Sequence, residues 1–250
     1  MHGHYHGGSP RQMAPLTRSS TVDLIAHELR SAIFSGGLPV GSPVREVEIS
    51  SQLGVSRAPF REAAQRLVQE GLLTAFPGRG LRVTRITGDA IDDVYEARLA
   101  IESRAVHLVA EARNTEVLGA LRSAYEGFAQ ATERGDDAWA IGDSDLAFHQ
   151  LLVDFAGSYR LSRLMSTLVM ETRLASLSAE EGFAVRLSVS PTYEALLSGL
   201  ELGNAQASIS ALEVQFRDAI ARLKGENDYP TIETDPDAVQ HEFNPIDTAS

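Results

Sequence analysis

Residues 55–70 read Val-Ser-Arg-Ala-Pro-Phe-Arg-Glu-Ala-Ala-Gln-Arg-Leu-Val-Gln-Glu. The spacing predicts a helix over 56–70. Ser56 stands where a cap belongs, and Pro59 falls in the first turn, where its missing N–H leaves no bond unmade. Phe60, Ala64, Leu67 and Val68 would form the buried face. Arg57 and Arg61 are four residues apart, so both project from one side near the N-terminus. Cations are favoured at the other end of a helix dipole, so two arginines here are locally unfavourable. An external polyanion accounts for them, and recognition helices reach double-stranded DNA with their N-terminal residues.

The flanking sequence supplies the rest of a reading head. Val22, Ile25, Leu29 and Ile33 keep helical spacing over 21–35, and Gly36-Gly37 stops them. A loop with Pro39 and Gly41 precedes a short helix over 46–53, closed by Gly54. After Gly71, residues 72–75 and 81–86 read as two strands around Phe76-Pro77-Gly78-Arg79-Gly80, a hairpin with an arginine at its tip. This order predicts a winged helix-turn-helix over 18–86. From 87 to 225 the period is helical, with helices near 88–112, 115–133, 137–156, 160–178, 191–202 and 205–224 and no strand pattern. The expected fold class is therefore mainly α, a winged head followed by an antiparallel all-helical bundle. Residues 1–17 and 226–250 read as disordered tails, the second acidic. His2, His4 and His6 make the first either a plain flexible tail or a weak metal binder.

Charge divides the chain in the same place. The formal net charge is −12, yet residues 18–86 hold nine arginines against six acids, whereas residues 87–250 hold 12 Lys/Arg against 28 Asp/Glu. The acidic part repels DNA and confines binding to the N-terminal surface. There are no cysteines, which excludes disulfides and thiolate metal sites. No apolar run approaches the ~18–20 residues a membrane span needs, and the first residues lack a signal peptide's apolar region. A soluble, cytoplasmic protein is expected.

Several positions together resemble the GntR family of bacterial transcription regulators: Gly41, Glu46, Leu53-Gly54-Val55-Ser56-Arg57, Pro59, Arg61-Glu62-Ala63, Leu67, Glu70-Gly71-Leu72 and Arg79-Gly80. The second part resembles the FCD effector domain of the FadR-type subfamily, through Arg98-x-x-Ile101-Glu102, Asp145-x-x-x-His149 and Ala156-Gly157-Ser158 leading to Leu161. The resemblance implies a homodimer on a palindromic operator, commonly a repressor, that responds to a small metabolite such as a carboxylic acid. It also implies that Ser56, Arg57 and Arg61 contact phosphates and base edges, and that Arg79-Gly80 enters the minor groove. Arg45, before the second helix, is a further phosphate candidate. The alternative for these arginines is a solvated face with local Arg61–Glu62 or Arg66–Glu70 pairs. Ala58 stands where many members carry Thr, which removes one possible phosphate donor.

Many FCD domains hold a divalent metal (Zn, Ni or Mn) through one Asp and three His. Asp145 and His149 match the first pair, but the resemblance puts Tyr193 and Gln215 at the other two positions, and neither replaces imidazole comfortably. Two readings stay open: an Asp–His hydrogen bond in a polar pocket, or a weaker site completed by Tyr193, Gln215, water or a ligand oxygen. Arg98 lies centrally among Ile91, Val94, Ile101, Ala105 and Leu108 on a helical wheel. A guanidinium in that stripe needs an anion, either Glu102 one turn on or a bound carboxylate. Arg173 is a second candidate clamp. An enzyme using Asp145 and His149 is the competing class, but the chain lacks a Gly-x-Ser-x-Gly elbow, a phosphate-binding glycine loop and a His-Glu-x-x-His pattern. A metal-free, acyl-CoA-responsive FadR-type regulator is the other alternative.

Overall fold

A computed structural model of the chain describes residues 20–136, 138–179 and 191–226. The expected tails lie outside the described residues, Glu226 apart, as does most of the predicted 179–190 break. The first unit comprises α1 (Thr21–Phe34), β1 (Pro43–Val44), α2 (Glu46–Gln52), α3 (Arg57–Gln69), β2 (Leu73–Phe76) and β3 (Gly80–Val83). α1 opens on a capping box, in which Asp23 N–H donates to Ser20 Oγ at 3.1 Å and Ser20 N–H donates to Asp23 at 2.9 Å. Its buried residues Ile25, Ala26, Leu29 and Ile33 pack against Phe60, Ala63, Ala64 and Leu67 of α3. Ala63 is thus buried where Val68 was expected; Val68 is only half-buried. Truncating Phe60 in such a core costs roughly 3–5 kcal/mol.

The wing is a three-stranded antiparallel sheet in the order β1-β3-β2. Sequence reading finds β2 and β3 but misses β1, because two residues carry no alternation. Pro43 and Val44 pair with Arg82 and Leu81. Gly41 N–H donates to Val83 O at 2.9 Å, and Val83 N–H donates back to Ser42 O at 3.0 Å. An edge strand tolerates Pro43, which has no N–H to leave unmade.

Two ion pairs bind α1 to α3. Arg30 grips Glu70 with two nitrogens at 2.8 and 2.7 Å, and Arg66 meets Asp23 at 2.5 Å. The local alternatives are not formed: Arg66 and Glu70 each pair with α1, not with one another. The Arg66 hydrogen bond, then those from Ser20, hold the Asp23 carboxyl at about 2 against an ordinary 3.8. A depressed folded value means that the contribution is complete above the unfolded pKa and is lost as pH falls through the folded one. Asp23 should therefore titrate near 2 in a carbon-detected NMR experiment, and Arg66→Gln should raise it. A wild-type value near 4 contradicts this tie.

The bundle comprises α4 (Asp89–Ala112), α5 (Thr115–Arg134), α6 (Ala138–Phe155), α7 (Tyr159–Leu177), α8 (Pro191–Glu201) and α9 (Ala205–Leu223). α4 packs against α6, α7, α8 and α9. Its buried face includes Ile91, Val94, Arg98, Glu102, Val106 and Val109, so Glu102 and Val106 are inside where Ile101 and Leu108 were expected. α8 and α9 approach closely at Gly199, where a Cβ would come 2.8 Å from Ser208 N. That approach seats α8, which carries Tyr193, closely on α9, which carries Gln215. α7 reaches back to α1, and Ile86 N–H donates to Ser178 Oγ at 3.2 Å just past the end of α7.

Candidate functional site

Arg57 and Arg61 are exposed at the start of α3, and both bind one atom, Glu46 Oε1, at 2.5 and 2.9 Å. Their hydrogen bonds hold the Glu46 carboxyl below the usual range. The local Arg61–Glu62 pair of the alternative reading is not formed; Arg61 pairs across to α2 instead. Glu46 is the residue that spacing could not find, because it comes from α2, eleven positions before Arg57. Ser56 occupies the N-cap, but its exposed hydroxyl makes no capping hydrogen bond and remains available to an outside partner. Arg45 caps α2 with its side chain 72% exposed and only a 3.5 Å contact to Glu48. Arg79 lies in the turn between β2 and β3, where Gly78 and Gly80 both take positive φ, and makes no ion pair among the described residues. These guanidiniums can exchange an exposed carboxylate, or water, for phosphate oxygens or a guanine edge.

The second constellation lies where α4, α6, α8 and α9 meet. Arg98 is 2% exposed and held between the Tyr95 and Phe216 rings, 5.1 and 4.6 Å from their centroids. Its Nε donates to Glu102 Oε1 at 2.9 Å, its Nη1 to Thr172 Oγ1 at 3.4 Å, and Nη2 is buried without a partner. Glu102 Oε2 lies 2.6 Å from His149 Nδ1. Burial alone would raise the Glu102 carboxyl, but His149 and Arg98 outweigh it and hold it below its usual range. Burial likewise opposes the Arg98 cation, and Glu102 more than restores it. Beyond His149, Tyr193 Oη lies 3.3 Å from Nε2 and donates to Asp145 Oδ1. Arg98, Asp145, His149, Tyr193, Gln215 and Arg222 all border one cavity of about 30 Å³.

The donors do not fit the four-ligand metal site that the FCD resemblance implies. Asp145 Oδ1 and His149 Nε2 are 4.0 Å apart, and the Tyr193 hydroxyl already bonds one and faces the other. Gln215 is 4% exposed and offers an amide, a poor ligand for zinc-like ions. Among the described residues no group of three or more His, Cys, Asp or Glu is placed to hold a metal ion. Of the two readings left open by sequence, the polar pocket fits the geometry, but its Asp145–His149 hydrogen bond is not made; at 4.0 Å the two are bridged by the Tyr193 hydroxyl.

Arg173 requires a correction. It does not border the cavity; it ion-pairs with Asp143 and stacks on Phe34, 4.8 Å from the ring centroid. Arg222 takes its place as the second arginine at the cavity. Sequence reading did not single it out, since a cation in the last turn of a helix is ordinary. Its seven-residue offset from Gln215, which puts both on one face, was the available signal.

Comparison with known proteins decides the family. Residues 21–83 match the model for bacterial regulatory proteins of the gntR family, and residues 93–217 match the FCD domain. The chain belongs to the GntR family. An uncharacterised HTH-type transcriptional regulator of Agrobacterium vitis is 34% identical over 55% of this chain and 82% of its own length. A second, from Bacillus subtilis, is 33% identical over 56% of this chain, and the match spans 62% of that relative. A GntR-type regulator structure from Rhodococcus superposes with a TM-score of 0.69 at 25% identity, covering 84% of this chain and all of that one. This GntR-family protein is thus a transcription regulator with an FCD domain, not the enzyme weighed above. Among the described residues no helix is long and apolar enough to cross a membrane.

A metal test follows from the pocket geometry. After removal of residues 1–17 and dialysis, elemental analysis should find well under one divalent metal per chain, whereas Tyr193→His combined with Gln215→His should gain one. A stoichiometric metal in the wild-type protein would overturn the pocket reading.

Proposed function

We propose that this chain is a ligand-responsive repressor that binds a palindromic operator as a homodimer. Arg57 and Arg61 read the major groove, Ser56 and Arg45 hold phosphates, and Arg79-Gly80 enters the minor groove from the wing. A small carboxylate, bound without a metal, acts from the cavity at Arg98. The observation that carries the effector assignment is Arg98 Nη2, a charged donor buried at a cavity wall with no partner. Leaving such a donor unmade costs roughly 1–3 kcal/mol, and a carboxylate is the group that arginine recognises best.

Three consecutive residues of α7 support a route from cavity to DNA. Thr172 accepts from Arg98 and donates to Leu168 O at 2.7 Å. Glu171 lies against Gly71, just beyond the recognition helix, where a Cβ would come 3.1 Å from its Oε1. Arg173 stacks on Phe34, the last residue of α1. A ligand that draws on Arg98 changes what Thr172 holds, and a small shift of α7 is felt at the C-terminal ends of both α1 and α3.

Arg57→Ala and Arg61→Ala should each weaken binding to a duplex selected by the wild-type protein about 10- to 100-fold in a gel shift, with the helical circular dichroism unchanged. Wild-type affinity in either variant would sink the DNA assignment. Arg173→Ala should keep acid binding within about threefold while losing most of the acid's effect on DNA affinity. An intact effect would remove α7 from the route.

A further inference from the structure

Arg57 and Arg61 both reach Glu46 through Nε, the guanidinium nitrogen nearest the chain. Arg57 Nε donates to Glu46 Oε1 at 2.5 Å, and Arg61 Nε lies 2.9 Å from the same oxygen. Among the described residues no group takes a hydrogen bond from their four terminal Nη nitrogens. A guanidinium has two edges for bidentate contact: a side edge of Nε with one Nη, and an end edge of both Nη. Glu46 takes a donor from each side edge and leaves both end edges whole, on side chains 58% and 63% exposed. An end edge suffices for the bidentate contact to guanine O6 and N7. A phosphate must displace Glu46 to grip a side edge; a guanine on the end edge need not.

Charge acts in the same direction. Non-specific binding to DNA is carried by cation–phosphate attraction, and Glu46 offsets one of the two positive charges at the start of α3. The two arginines hold its carboxyl below the usual range, so that charge is present at neutral pH. Glu46 is also the first residue of α2, where an acid suits the helix dipole, but Glu48 in the same turn already serves there.

We propose that Glu46 is a specificity-determining positioning residue: by holding Arg57 and Arg61 at Nε it presents two end-on forks to guanine edges and disfavours phosphate in their place. This rests on α3 being the helix that reads DNA. In that arrangement the arginines supply the contacts, and Glu46 sets how far a guanine-bearing site is preferred over any other duplex.

The test is fluorescence anisotropy of the full chain on a duplex selected by the wild-type protein and on a scrambled duplex of equal length, at several salt concentrations. A third duplex carries 7-deazaguanine, which lacks the N7 acceptor, at the guanines of the selected half-sites. Wild-type affinity should fall about tenfold or more on this third duplex. Glu46→Ala should bind the scrambled duplex about threefold more tightly, with a salt dependence steeper by about one phosphate contact. Its preference for the selected duplex should drop about tenfold or more, and 7-deazaguanine should cost it less than about threefold. Glu46→Gln, which keeps the acceptor without the charge, should show the steeper salt dependence yet retain more of the preference than Glu46→Ala. A preference unchanged in Glu46→Ala, or both duplexes weakened equally as a purely structural role would give, would overturn the proposal. So would selected half-sites without guanine, a wild type indifferent to 7-deazaguanine, or a Glu46→Gln variant that loses as much preference as Glu46→Ala. If the wild type prefers no duplex, or Arg57→Ala and Arg61→Ala bind like it, the DNA reading itself fails, and this proposal with it.

Discussion

Burying a guanidinium at the centre of a helical bundle is prohibitive unless its charge is answered, and the bundle is arranged around that requirement. Glu102, one turn along α4, answers it directly, and the same carboxylate then takes the ring of His149 from α6. Removing one partner of such a buried pair typically costs 3–5 kcal/mol, because the other is left charged and alone. The pair therefore fixes the register of α4 against α6, and Thr172 extends it to α7. It also leaves one arginine nitrogen facing the cavity.

The same economy governs the reading head, in a wetter setting. Arg57 and Arg61 share Glu46, which holds two long side chains together at the helix start while both stay exposed. Exposed ion pairs are worth little in stability, so the contribution of Glu46 is positional. It restricts the arginines before DNA arrives, and DNA phosphates offer a stronger counter-charge once there. The part-buried, two-nitrogen Arg30–Glu70 contact lies behind and helps keep α3 seated on α1. The head is thus stiff where it packs and exchangeable where it reads.

Much of this was legible in the sequence, for reasons that name themselves. Helical periods of ten residues or more located α1, α3 and all six bundle helices within a few residues, because a buried face leaves a repeating mark. The two-residue β1 left none, since its place is set by Val83 hydrogen bonds across the wing. Arg98 was visible as a charge inside an apolar stripe, and Glu102 was weighed as its partner. Arg173 was misassigned by the same logic: a cation on a bundle helix has several possible destinations, and only packing showed Phe34 and Asp143 as this one's. Arg222 was not singled out, and Glu46, noted only as a family-matching position, was not paired with the arginines, because both roles depend on neighbours from other helices. Tyr193 was readable only as a misfit, until its hydroxyl was found bonded to Asp145 beside His149.

The central claim is that a small acid in a metal-free cavity alters what the Arg57–Arg61 helix does on DNA. The most direct measurement is fluorescence anisotropy on a duplex selected from a random pool, at fixed ionic strength and with a chelator present, as a series of small carboxylic acids is added in turn. A coupling of ~1–3 kcal/mol would move the Kd about 5- to 150-fold, and the account predicts a shift in that range that saturates with acid. A Kd that stays constant through saturating acid, or one that moves only after a divalent metal is supplied, would contradict it.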